Sequence, residues 1–229
     1  LDLKFQFFFL LIFLYFLDWL DLSTFFYSSM EPKIFFYLKL QELLMLDHLH
    51  NRWLILQLYL HLRDKQLLNQ NSKEIIIDLR DNPGGLLSSA VAILDMIIQK
   101  DSPLVSTKGR TKDSNRSFYS RRKPLIPDDV KIAVLINQGS ASASEIVAGA
   151  IQDLDRGIIL GQKSYGKGLV QSQYEIDDKR SIKVTTARYY IPSGRFIQKS
   201  DYIDDKYILN KTEEDSVFTT MNGRNVLGN

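Results

Sequence analysis

Three hydroxyls and one amine are the groups best suited to chemistry in this 229-residue chain. Ser140, Ser142 and Ser144 alternate with alanines in Asn137-Gln-Gly-Ser-Ala-Ser-Ala-Ser-Glu145, and Lys167 stands between Gly166 and Gly168 further along. An apolar run over 132–136 leads into the serine loop, and Ile146, Val147, Ala150, Ile151 and Leu154 follow at helical spacing. The expected order is strand, tight loop, helix N-terminus. Unpaired backbone N–H groups at the positive end of a helix can stabilise an oxyanion beside such a hydroxyl. The chemistry this suits is acyl transfer.

A serine is a weak nucleophile without a base in reach. His48, His50 and His61 all lie upstream, and no histidine occurs from Lys73 to the end. A Ser-Lys arrangement is left, with Lys167 as the candidate base. Its amine must be uncharged to accept a proton, which asks for apolar surroundings; Tyr165, Leu169 and Val170 are the neighbours that could supply them. Two other readings of these residues stay open. Ser142-x-x-Glu145 fits a helix capping box. Gly161-Gln-Lys-Ser-Tyr-Gly-Lys-Gly168 matches a phosphate-cradling loop except at its last position, where Gly168 replaces the Mg²⁺-binding hydroxyl. A phosphate loop must also open a helix, whereas Leu169 to Ile176 alternates apolar and polar residues as a strand does.

The elements that must hold these groups follow from the surrounding pattern. Glu74 to Leu79 reads as a buried strand ending in Arg80-Asp-Asn-Pro-Gly-Gly85, where Asn-Pro and Gly-Gly force a turn able to present a backbone N–H to a ligand. Residues 86–98 read as a helix, and 103–107, 131–137, 157–161, 169–176 and 181–190 as strands, with a helix over 145–153. Strands alternating with helices indicate an α/β fold. Lys108 to Lys123 reads as a basic loop, either a solvated face or an attractor for an anionic group such as a peptide's terminal carboxylate. Beyond Lys199 the sequence turns polar, and an irregular tail is expected.

Composition narrows the class. A net charge of +2 gives no reason to expect nucleic acid as a partner, and zero cysteines exclude a disulfide framework, a thiolate metal site and a cysteine nucleophile. Residues 1 to about 70 differ in kind from the rest, with 1–32 readable as a separate leading segment: every glycine lies at or after Gly84, and the first Ala and Val are Ala90 and Val91. Phe7 to Leu17 is an unbroken apolar run, short for a spanning helix and suited to a signal-peptide core, a membrane anchor or a core helix. A segment foreign to the downstream fold fits the same composition. Lys33 to Leu40 reads as a strand and Leu43 to Leu68 as helical. His48-x-His50 with His61 lacks a recognised metal-ligand spacing, so exposed helical histidines are the simpler reading and no metal is expected.

Four ordered motifs resemble the carboxyl-terminal processing proteases, or tail-specific proteases, a family of Ser/Lys peptidases. They are Asp78-Leu-Arg-Asp-Asn-Pro-Gly-Gly-Leu86, Asn137-Gln-Gly-Ser-Ala-Ser-Ala-Ser-Glu-Ile146, Ser164-Tyr-Gly-Lys-Gly-Leu-Val-Gln171 and Thr185-Thr-Ala-Arg-Tyr-Tyr-Ile-Pro-Ser-Gly-Arg195. The resemblance covers residues 74–198 and implies a ClpP/crotonase-like α/β core spanning about 33–229. It implies Ser142 as nucleophile, Lys167 as general base and Gln171 as the residue that holds the lysine. The implied oxyanion donors are the Ala143 amide and an amide from Gly84 or Gly85. It further implies cleavage of protein or peptide substrates near a free C-terminus, no cofactor, and action outside the bacterial cytoplasm or at a membrane. A PDZ domain, usual in the family, is not recognisable here. Two alternatives to the peptidase are a non-catalytic relative that binds peptide C-termini and the nucleotide-binding reading above.

Overall fold

The computed structural model describes residues 35–39, 74–203, 206–209 and 216–228. The segments 1–32 and 43–68 and the three histidines lie outside these residues. So does most of the Lys33–Leu40 strand's flanks, of which 35–39 is described.

Two four-stranded sheets carry the fold. The first is wholly parallel, in the order β1 (Phe35–Lys39), β2 (Glu74–Asp78), β5 (Lys131–Ile136), β6 (Ile158–Gly161). The crossovers from β2 to β5 and from β5 to β6 carry α1 (Leu87–Ile97) and α2 (Ala143–Asp153) respectively. Register places Ile75 beside Ile132 and Ile77 beside Val134, so one face of the sheet is a continuous apolar surface. Against it the helices bury Ile93, Leu94, Ile146, Val147 and Ile151. This burial against a parallel sheet, the strongest non-directional force in the domain, fixes where the strand ends and the loops beyond them must lie.

The second sheet is antiparallel, in the order β4 (Arg116–Tyr119), β3 (Pro103–Gly109), β8 (Arg180–Tyr190), β7 (Leu169–Asp177). The hairpin between β7 and β8 closes through an Asx turn, with Lys179 N–H donating to Asp177 Oδ1 at 3.0 Å. A register shift between Val170 and Gln171 bends β7 two residues into its length.

The structure corrects two expectations. The basic stretch 108–123 is not one loop: β3 continues to Gly109, a short 3-10 turn spans Lys112–Ser114, and β4 returns along β3. Thr107 organises this return, its hydroxyl donating to Ser114 O at 2.7 Å, which charge patterning does not reveal. Nor is the sequence beyond Lys199 irregular throughout. It forms the hairpins β9 (Ser200–Ile203) with β10 (Lys206–Leu209) and β11 (Val217–Thr219) with β12 (Asn225–Leu227). The second hairpin is anchored by polar contacts that hydropathy misses. Met221 N–H donates to Asp153 O at 2.8 Å, and the buried Arg195 donates to Leu227 O at 2.9 Å and to Asp153 Oδ1 at 2.5 Å.

Candidate active site

The C-terminal ends of β2 and β5 deliver two loops to the same place, 80–86 and 137–142, and side chains sew them together. Asn137 Oδ1 accepts from Asp81 N–H at 2.9 Å while its Nδ2 donates to Asp81 Oδ1 at 2.9 Å. The Ser140 hydroxyl donates to Leu79 O at 2.7 Å and accepts from Asn137 N–H at 2.9 Å. Asn82 is fully buried, and its carbonyl accepts from Ala141 N–H and from the Ser144 hydroxyl, each at 3.0 Å. Ser140 and Ser144 are therefore engaged in holding the loops. Ser140→Ala and Ser144→Ala are each expected to cost about 0.5–1.5 kcal/mol, because each removes a hydrogen bond that joins the two loops while Leu79 O and Asn82 O keep their backbone donors, and activity per folded molecule is retained. Urea unfolding and turnover corrected for the folded fraction check this.

Ser142 differs from its neighbours in backbone conformation. It caps α2 with φ 55° and ψ −114°, whereas an N-cap residue ordinarily sits in the extended region. The capping-box contact is present, with Ser142 N–H donating to Glu145 Oε2 at 2.7 Å. A cap alone does not require a left-handed serine, and such strain concentrates where a side chain must be presented in one direction.

The 80–86 loop presses directly on this bend. A Cβ added to Gly84, whose φ is +86°, would lie 2.4 Å from Ala141 O, 2.6 Å from Ala143 N and 2.8 Å from Ser142 Cβ. Gly84 N–H is already committed to Asn82 Oδ1 at 2.9 Å. Among the described residues, neither Gly85 N–H nor Ala143 N–H donates to a protein atom. Of the two glycine amides, Gly85 is thus the uncommitted donor, next in the chain to the glycine that packs against Ala143 N.

The lysine loop is tied to the serine loop through one carboxylate. Glu145 Oε1 accepts from Gly166 N–H at 2.6 Å and from the Ser164 hydroxyl at 2.7 Å; Oε2 accepts from Lys167 N–H at 2.9 Å as well as from Ser142 N–H. The backbone nitrogens of Ser142 and Lys167 are consequently no further apart than those two bonds laid end to end. A second tie runs from Tyr165 N–H to Ser140 O at 2.9 Å. The Lys167 side chain itself is exposed, as is Tyr165 at 62%, so the apolar enclosure expected around the amine is not formed by this chain's described residues.

Gln171 lies in β7 beyond the bulge, its side chain exposed, opposite Thr185; no hydrogen bond joins it to Lys167. The segment after Lys167 enters a strand, so the loop cannot act as a phosphate loop, which must lead into a helix.

Burial pushes the Glu145 carboxyl above its ordinary range, with its donors pulling the other way. A folded-state value above the unfolded one means that the native form binds the proton more readily. As pH falls from that raised value towards the ordinary one, this group is expected to add stability, while protonation removes acceptor capacity facing four donors. Cleavage and this component of unfolding free energy should therefore move in opposite directions across that window, and Glu145→Gln should abolish the trend in stability. Asp155, held below its ordinary range by Thr220, Asn222 and Arg224 against its desolvation, contributes with the opposite sign and at lower pH.

In the sequence Asn82 reads only as part of a turn and Glu145 only as a cap, and Ser164 and Gln198 have no role. Asn82 was open to detection, because Asn two residues before a glycine is an Asx-turn pattern. Gln198 carries no local signal.

Comparison with known proteins gives the family and the fold. Peptidase family S41 matches residues 60–208. A carboxy-terminal-processing protease of Bartonella bacilliformis is 47% identical over 126 residues, covering 55% of this chain and 29% of that protein. A chloroplastic carboxyl-terminal-processing peptidase of Arabidopsis thaliana is 36% identical over 129 residues, covering 56% of this chain and 26% of its own length. Among solved structures, a photosystem II D1 C-terminal processing protease superposes with a TM-score of 0.58 at 29% identity, over 72% of this chain and 40% of that one. A Streptococcus agalactiae lipoprotein shares the fold, with a TM-score of 0.56 at 18% identity over 80% and 63% of the two chains. The chain spans a third or less of the length of these curated relatives.

Proposed function

The chain belongs to peptidase family S41, and on that premise we propose that it forms the catalytic part of a serine endopeptidase that cuts protein substrates near their carboxyl ends. In this reading the Lys167 amine takes the proton from Ser142 Oγ as the oxygen attacks the scissile carbonyl carbon. Negative charge develops on the carbonyl oxygen, in reach of the Ala143 and Gly85 amides. The carbon–nitrogen bond then breaks, the departing amine takes the proton from Lys167, and Ser142 carries the acyl group. Water, deprotonated by the same lysine, releases the new C-terminus and restores the hydroxyl.

The observation that carries the reading is the shared Glu145 carboxylate, which binds the backbone of the proposed nucleophile and of the proposed base at once. The exposed Lys167 side chain indicates that bound substrate supplies the final exclusion of water. Gln171 would hold the amine once it turns towards Ser142, helped by the bend that the bulge puts between them. The preference for free C-termini and an extracytoplasmic or membrane-associated location belong to the same proposal. The carboxyl-terminal-processing names of the relatives and the apolar run 7–17 support them; among the described residues no helix is long and apolar enough to cross a membrane.

The test is to incubate the protein with peptides of matched sequence bearing free or amidated C-termini, and with a serine-directed fluorophosphonate. Mass spectrometry should find cuts near the free C-terminus and the phosphonate on Ser142. Binding of the peptides with neither cleavage nor labelling would favour a non-catalytic peptide-binding relative.

A further inference from the structure

We propose that Gln198 is a positioning residue for the candidate base, the second of two side chains that fix the direction in which Lys167 leaves the backbone. The inference rests on the peptidase reading.

The segment Gly166-Lys167-Gly168 precedes β7, so its amides have no ladder partners, and all three are taken up by side chains. Glu145 accepts from Gly166 and Lys167 on one side. On the other, Gln198 Oε1 accepts from Gly168 N–H at 2.7 Å. The carbonyls are held as well, with Tyr189 N–H donating to Gly168 O at 2.8 Å and Lys199 N–H to Gly166 O at 3.2 Å. A peptide unit has one soft torsion on each side, so fixing the amides before and after a residue sets the direction of its Cα–Cβ bond. Glu145 fixes the amide entering Lys167, and Gln198 fixes the one leaving it.

The approach at Gly168 is close. A Cβ there would lie 2.6 Å from Gln198 N, 3.0 Å from Phe196 Cε2 and 3.1 Å from Gln198 Cβ, so Gln198 is seated against the loop through its backbone as well as its side chain. Its own position is set from further off. The Phe196 ring stacks on Tyr190 at 5.6 Å between centroids, and Asp153 accepts from Ser193 N–H at 2.9 Å and from Arg195 at 2.5 Å. Helix α2 therefore governs both acceptors, carrying Glu145 in its first turn and fastening, through its last residue, the turn from which Gln198 extends.

The experiment compares Gln198→Leu, which keeps most of the side chain's bulk but removes the acceptor, with Gln198→Glu, which keeps an acceptor oxygen. Both are made in the whole chain and compared on the plateaus of their pH–rate profiles. A misdirected base should lower kcat by roughly tenfold to a hundredfold in Gln198→Leu with KM within about twofold, and slow phosphonate labelling of Ser142 in parallel. Gln198→Glu should restore kcat to within a few fold of the parent. A core variant of similar melting temperature, Ile151→Val, should keep its kcat, separating misdirection from loss of stability. Unchanged kcat in Gln198→Leu, or equal loss in both Gln198 variants, would overturn the proposal while leaving the peptidase assignment standing. A parent that neither cleaves nor labels would overturn both.

Discussion

Ser142→Ala and Lys167→Ala are each expected to lower kcat/KM by roughly 10⁴-fold or more, and the double variant to be no worse than the poorer single one. In the proposed mechanism the two groups act as a unit. Without the hydroxyl there is nothing to deprotonate, and without the amine the hydroxyl keeps its proton. Residual turnover, if detectable, would come from substrate binding and the two backbone donors alone. Neither change should cost much stability, because Lys167 is exposed and the contact at Ser142 that joins the loops is made by its backbone N–H. Multiplicative losses in the double variant would show that the residues act independently and would break the proposed pairing. Steady-state kinetics on one peptide, with melting curves for the same preparations, decides it.

Gly84→Ala is expected to damage both the fold and the turnover. The new carbon would meet three atoms at 2.4–2.8 Å, two of them backbone and the third the Cβ of the strained Ser142, none of which can swing aside. The left-handed φ of +86° adds strain of about 1–2 kcal/mol for any side chain. Relief requires the 80–86 loop to retreat from the serine bend, which carries Gly85 N–H away from Ala143 N–H. Loss of one such donor costs about 10²–10³ in kcat. Gly194→Ala is the matched control, with φ +87° but nothing within 4 Å, and should show the strain without the kinetic loss. Equal kcat in the two variants would argue against a role for the Gly84-Gly85 turn in the chemistry.

Much of this was legible in the sequence because the relevant forces are local. The run Glu74 to Leu79, Lys131 to Asn137 and the apolar spacing after Glu145 set strands and a helix by burial alone, and the α/β architecture follows from their order. The glycine pair announced a close approach, since only glycine tolerates it. What escaped was set by contacts across 19 to 62 positions of chain, such as Ser164 with Glu145 and Ser144 with Asn82. Ser140, Ser142 and Ser144 look alike in sequence, and what separates them is which carbonyls two of the hydroxyls find in a different loop. The exposure of Lys167 was equally hidden. Flanking apolar residues say nothing about which way a residue points once the amides around it are drawn to Glu145 and Gln198.

The left-handed backbone of Ser142 has a bearing on how this lineage can change. Glycine relaxes that conformation and gives up only a few tenths of a kcal/mol as a helix cap, so a chain released from the need to cut proteins would gain by drifting to glycine there. Among descendants that keep the Asn-Pro-Gly-Gly turn, a glycine in place of Ser142 would mark a retired enzyme whose fold had become more comfortable than its ancestor's.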